Sequence, residues 1–227
     1  MGMEFFRPEI VLFGDSITQV SFSEGGWGAR LADEYQRHAD VTVRGYSGYN
    51  TKWALPLLPL VFPPESPRTP ALVTVFFGAN DAVRPAPIPG RTAGVSRQHV
   101  PLPEFRDNLK AIVGAIRACG DGTARVLLIT PPPVDVIAWH KTERAKAEAA
   151  GFPIGPDGES SRDNAVTAQY RRRPLTRTRL GQVDEVGEVG EVGEVETQGG
   201  LQRGGRFLSD TGTHRPYARW AWRWARR

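Results

Sequence analysis

The chain has 227 residues, 40% of them hydrophobic and 24% charged, which suits one globular domain and leaves no room for a second of ordinary size. No apolar stretch reaches the roughly eighteen residues of a membrane span, and residues 1–6 carry neither a secretory signal nor a myristoylation frame. The formal charge of +4 comes wholly from the tail, because residues 1–170 hold 17 Lys or Arg against 18 Asp or Glu, so no nucleic-acid partner is expected of the body.

A single cysteine, Cys119, excludes an internal disulfide and fits a reducing compartment, with the cytoplasm as the default expectation.

In chain order, the first apolar run is Ile10 to Phe13, short and bounded by turn residues as a strand buried on both faces should be. It runs into Gly14-Asp15-Ser16-Ile17-Thr18. Trp27, Leu31 and Tyr35 then share one side of a helix. A second strand, Val41 to Val43, leads into Gly45-Tyr46-Ser47-Gly48-Tyr49-Asn50, and a third, Leu72 to Phe77, into Gly78-Ala79-Asn80-Asp81. The proline-bearing stretch from Ala82 to Pro103 reads as a long loop, able to wall a pocket or merely to connect.

Phe105, Leu109, Ile112, Val113 and Ile116 step by three and four, which predicts a helix from Pro103 to Cys119. Val126 to Thr130 is the fourth strand. His140 falls in a charged loop after the Pro131-Pro132-Pro133 run. Past Tyr170 the pattern stops. Residues 171–205, with Val-Gly-Glu repeats from Val186 to Val195, read as a low-complexity, disordered insert. Residues 206–227 end in an Arg/Trp-rich stretch, and all 12 basic residues from 171 onward are Arg.

Strands alternating with helices imply an α/β fold with a parallel sheet, whose ligand site forms at the carboxyl ends of the strands. The three polar clusters all fall there. A serine hydroxyl needs a base for its proton and donors for the oxyanion that acyl transfer creates. Ser16 at a strand-to-helix turn, its own N–H, the N–H of Gly48 and the Asn80 amide together supply a nucleophile and three such donors. Taken singly, each has a plainer reading. Asp15 and Ser16 suit a helix cap, Gly48 a special backbone angle, and Asn80-Asp81 a turn.

These residues sit in longer segments that carry a family likeness. They are Phe13-Gly14-Asp15-Ser16-Ile17-Thr18-Gln19, Gly25-Gly26-Trp27-Gly28-Ala29, Arg44-Gly45-Tyr46-Ser47-Gly48-Tyr49-Asn50-Thr51, Phe77-Gly78-Ala79-Asn80-Asp81, His99-Val100-Pro101 and Ile129-Thr130-Pro131-Pro132-Pro133. Over residues 9–170 the chain resembles the SGNH, or GDSL, hydrolases, and within them it looks most like the isoamyl acetate-hydrolysing esterases. The resemblance implies a flavodoxin-like three-layer α/β/α sandwich, with an SGNH core over residues 1–170 and an incomplete or disordered C-terminal part. It implies Ser16 as nucleophile, Ser16, Gly48 and Asn80 as oxyanion hole, no metal and no organic cofactor. The substrate expected is a small ester, with short-chain acetates foremost.

The base and its orienting acid should come last in the chain, as Asp-x-x-His, and the matching stretch is Phe207-Leu208-Ser209-Asp210-Thr211-Gly212-Thr213-His214. It names Asp210 and His214 but carries one residue too many between them. The family would also place a helix and a fifth strand after Tyr170, where this chain has arginines and Val-Gly-Glu repeats. Three functional readings therefore stand. They are a short-chain carboxylesterase, a deacetylase or acyltransferase using another alcohol, and a catalytically impaired remnant. Among the other histidines, His38 reads as solvated and His99 as organising a loop. Phe77, Trp27 and Trp53 read as core or as the wall of an apolar pocket.

Overall fold

β-Branched and aromatic residues at 9–14 and 72–76 are buried on both faces, so their backbone groups must be satisfied by neighbouring strands. A computed structural model, which describes residues 7–85, 97–149, 151 and 160–171, shows how. Strand β1 (Glu9–Gly14) and strand β3 (Leu72–Phe76) pair at the centre of a four-stranded sheet, flanked by β2 (Asp40–Gly45) and β4 (Arg125–Leu128). The order is β2-β1-β3-β4, and all three pairings are parallel.

Alternation along β1 divides the core in two. Ile10 and Leu12 face one layer, with Val41, Val43 and Trp27 and Leu31 of a helix at Trp27–Tyr35. Val11 and Phe13 face the other, with Val73, Val75, Phe77 and the stripe Phe105, Leu109, Ile112 and Ile116. That stripe belongs to the longest helix, Leu102–Arg117, which has Pro103 in its first turn, where no helical hydrogen bond is lost. Helices on both faces of a parallel sheet make the expected three-layer α/β/α arrangement.

Numbered in chain order, the helices are α1 (Ser16–Gln19), α2 (Trp27–Tyr35), α3 (Thr51–Ala54), α4 (Leu58–Val61), α5 (Leu102–Arg117), α6 (Val136–Ala149) and α7 (Asn164–Arg171). A 3-10 turn at Leu55–Leu57 separates α3 from α4. Pro56 and Pro59 break what would otherwise be one helix, since each removes a donor and clashes one turn back.

His140 does not lie in a loop, as its charged surroundings suggest, but within α6. That helix buries none of its residues and is formed by Ala, Lys, Glu and Arg, whose helix propensity is high. Of the long loop, residues 82–85 and 97–101 are described. The expectations for residues 172–227, Asp210 and His214 among them, lie outside the described residues. Among those described, no helix is long and apolar enough to cross a membrane.

Candidate active site

Gly14 is the last residue of β1, pressed between two neighbours. A Cβ there would stand 2.2 Å from Thr18 Oγ1 and 2.5 Å from the Phe76 carbonyl oxygen. The turn that follows is stitched to the strands on both sides, with the Tyr46 N–H donating to Gly14 O at 2.8 Å and the Asp15 N–H to Phe76 O at 3.3 Å. Asp15 caps α1, its Oδ1 accepting from the Ile17 N–H at 2.9 Å. Ser16, half-buried, is the first residue of that helix, so its N–H has no carbonyl one turn back to receive it.

Gly48 occupies the third position of a turn closed by the Tyr49 N–H on Tyr46 O at 3.1 Å. Its φ of +82° lies in the left-handed region that favours glycine. The turn is held against its surroundings by Ser47, whose N–H donates to Gln19 Oε1 at 2.7 Å, and by Gln98 Nε2, which donates to the Gly48 carbonyl at 2.9 Å.

Asn80 follows β3 and is buried. Its Nδ2 donates to Tyr49 O at 2.7 Å, and its Oδ1 accepts from Gln98 Nε2 at 3.3 Å and from Arg162 Nη2 at 3.0 Å. The turns after β1, β2 and β3 are thereby tied into one edge of the sheet. Ser16, Gly48 and Asn80 each stand in one of them.

Two carboxyls are buried beneath this edge. Burial pushes Asp15 up to about 7, against the pull of the Ile17 N–H and the Arg162 guanidinium. Burial likewise pushes Asp81 up to about 6, opposed first by the hydrogen bonds from Thr51. Asp81 Oδ1 accepts from both the N–H and the hydroxyl of Thr51, and Asn108 Nδ2 donates to Thr51 Oγ1 at 3.1 Å. Asp81 thus joins the turn after β3 to α3 and α5.

Of the residues singled out in the sequence, His99 does organise its loop, with Nδ1–H donating to Val83 O at 2.7 Å. Phe77 is fully in the core, Trp27 donates Nε1–H to Ile17 O at 3.3 Å, and Trp53 is 37% exposed. Asp210 and His214 are not among the described residues.

Sequence reasoning assigned no role to Asn108, Gln98 or Arg162, named Thr51 only within a family-like segment, and marked Asp81 only as part of such a segment or of a turn. Gln98 and Arg162 carry no local signal, because each reaches the site from a distant segment. Among the described residues, no three His, Cys, Asp or Glu gather as metal ligands.

A family model described as GDSL-like Lipase/Acylhydrolase matches residues 12–153. A GDSL esterase/lipase of Arabidopsis thaliana is 57% identical over 129 residues, covering 57% of this chain and 50% of that protein. The mouse isoamyl acetate-hydrolyzing esterase 1 homolog is 46% identical over 141 residues, covering 62% and 54%. The chain therefore spans about half the length of these relatives. Among solved structures, a lipase/acylhydrolase from Enterococcus faecalis aligns with a TM-score of 0.44 and 25% identity, covering 72% of this chain and 67% of that one.

Proposed function

The chain belongs to the GDSL-like lipase/acylhydrolase family, and from that premise we propose that it hydrolyses short-chain carboxylic esters, acetates foremost, through an acyl-enzyme on Ser16. The Ser16 Oγ bonds to the ester carbonyl carbon while its proton passes to His214, which Asp210 orients. The carbonyl electron pair moves onto oxygen and is held by the N–H groups of Ser16 and Gly48 and by Asn80 Nδ2. Collapse expels the alcohol, which takes the proton from His214. Water then repeats the sequence on the acyl group and frees Ser16. Each oxyanion donor contributes about 3 kcal/mol to the transition state.

The observation that carries this reading is the hydrogen-bonded union of the turns after β1, β2 and β3, which gathers Ser16, Gly48 and Asn80 at one sheet edge. The names of the relatives, esterases among them for isoamyl acetate, support the choice of a small acetate ester. Labelling by a fluorophosphonate probe that is lost in Ser16→Ala, together with hydrolysis of isoamyl acetate and p-nitrophenyl acetate, is the expected result. Equal labelling of the Ser16→Ala variant would overturn it.

A second reading is favoured by one feature, the extra residue between Asp210 and His214. In that reading the nucleophile half is intact and turnover is impaired. Deleting Thr211 then raises p-nitrophenyl acetate turnover sharply, whereas an unchanged rate counts against it.

A further inference from the structure

Arg162 is 8% exposed, although a buried cation is rare unless it is paired and held. Here the holding is elaborate. The preceding residues are pinned to α6, where Glu143 Oε2 accepts from the Ser160 hydroxyl and the Ser161 N–H, each at 3.1 Å. The Arg84 N–H donates to Ser161 O at 2.9 Å. Asp163, directly after Arg162, caps the start of α7 through the Ala165 N–H at 2.7 Å. The guanidinium itself lies over the Trp139 ring, 5.0 Å from its centre, and donates through Nη2 to Asn80 Oδ1.

The partners of Asn80 define which way its amide faces. Its Oδ1 meets two donors, Arg162 Nη2 and Gln98 Nε2, whereas its Nδ2 meets the Tyr49 carbonyl. Arg has no acceptor to offer and a carbonyl has no donor, so the flipped amide would lose both contacts and set like against like. One Nδ2 hydrogen goes to Tyr49, and the other has no partner among the described residues. A charge-assisted bond on Oδ1 also draws electron density from the amide nitrogen, which makes that remaining N–H a stronger donor.

From this geometry we infer that Arg162 is a positioning residue for the oxyanion hole, fixing and polarising the Asn80 amide so that its free N–H meets the developing negative charge. The inference rests on the proposed Ser16 acyl-transfer reading. It adds a residue from beyond the strand-end turns, carried to the site by α6 and the start of α7.

The test is the rate of fluorophosphonate labelling in the full chain, compared among the unaltered protein, Arg162→Met, Asn80→Ala and the double variant. An interaction realised only in the transition state lowers kcat and leaves KM in place. Removing a whole oxyanion donor costs about 100- to 1000-fold, so weakening one should slow Arg162→Met by about 10- to 100-fold. The double variant should then be no slower than Asn80→Ala alone, because both act through one N–H. Acetate ester turnover should show the same slowing in kcat with KM unchanged.

An unaltered rate in Arg162→Met, or slowings that multiply in the double variant, overturns the inference and leaves the Ser16 reading standing. Loss of Ser16-dependent labelling in the unaltered protein instead removes that reading and the inference with it. If Arg162→Met does not fold, Arg162→Lys takes its place in the same cycle. Its charge can still lie over Trp139, but it lacks the planar fork aimed at Oδ1. Coupling to Asn80→Ala supports the inference there too, and additivity overturns it.

Discussion

The carboxyl of Asp15 is 1% exposed one residue before Ser16, and its burial raises it from 3.8 to about 7. Between those values the folded chain keeps a proton that the unfolded chain has released, so this group's contribution to stability falls as pH rises from about 4 to 7. Asp15→Asn keeps an acceptor for the Ile17 N–H and removes the titration. In urea unfolding the variant should match the wild type in stability near pH 4 and exceed it at pH 7.5 by on the order of 4 kcal/mol. A difference that does not grow with pH rules the account out.

The two site glycines separate a clash from a strain. A Cβ on Gly48 would meet nothing closer than Gln98 Nε2 at 3.6 Å, so Gly48→Ala costs only the left-handed backbone, about 1–2 kcal/mol in urea unfolding. Gly14→Ala would drive its Cβ to 2.5 Å from the Phe76 carbonyl oxygen, a backbone atom that cannot swing aside. Its cost should be larger, on the order of 3 kcal/mol or more. Equal midpoints for the two variants would contradict this ranking.

Between elements, the contact that aligns β3 with α3 and α5 is polar and buried. Thr51→Val keeps the shape of the side chain but withdraws a donor from Asp81 Oδ1 and an acceptor from Asn108 Nδ2. Leaving such groups unmatched costs about 1–3 kcal/mol. Because Thr51 hydrogen bonds hold Asp81 down against burial, the variant should also move the Asp81 transition above about 6, readable by carboxyl NMR titration.

The same elements show what periodicity reveals and what it hides. Helix α5 was legible because Phe105, Leu109, Ile112 and Ile116 must all face the sheet, and the buried residues recur at that spacing. Helix α6 was not, since it presents no apolar stripe and rests on propensity alone. The turns of Ser16, Gly48 and Asn80 could be found because each ends its own strand. Arg162 could not, because it meets Asn80 across 82 residues of sequence, and no local pattern encodes a contact made by tertiary packing.

At the scale of the whole chain, the order β2-β1-β3-β4 sends the connection after β1 toward one edge and the chain after β3 toward the other. The turns of Ser16 and Asn80 lie on either side of that divergence, where open α/β sheets leave a crevice for a ligand. Among the described residues, the turns of Ser16, Gly48 and Asn80 rest on the core under β1 and β3, and the Tyr170 hydroxyl donates to Val100 O at 2.6 Å. The proposed base and acid, His214 and Asp210, belong to residues 172–227. Ending the chain after Arg171 therefore divides fold from turnover. The shortened protein should unfold cooperatively, as followed by circular dichroism, because the two layers over the central strands are retained. It should lose acetate ester turnover by roughly 1000-fold or more, the scale on which removing a triad member acts. Turnover undiminished by the truncation would place the base within residues 1–171 and remove His214 from the mechanism. Cooperative unfolding with both turnover and Ser16 labelling sharply slowed is the outcome expected if the strand-end turns form one half of the site and the tail supplies the base.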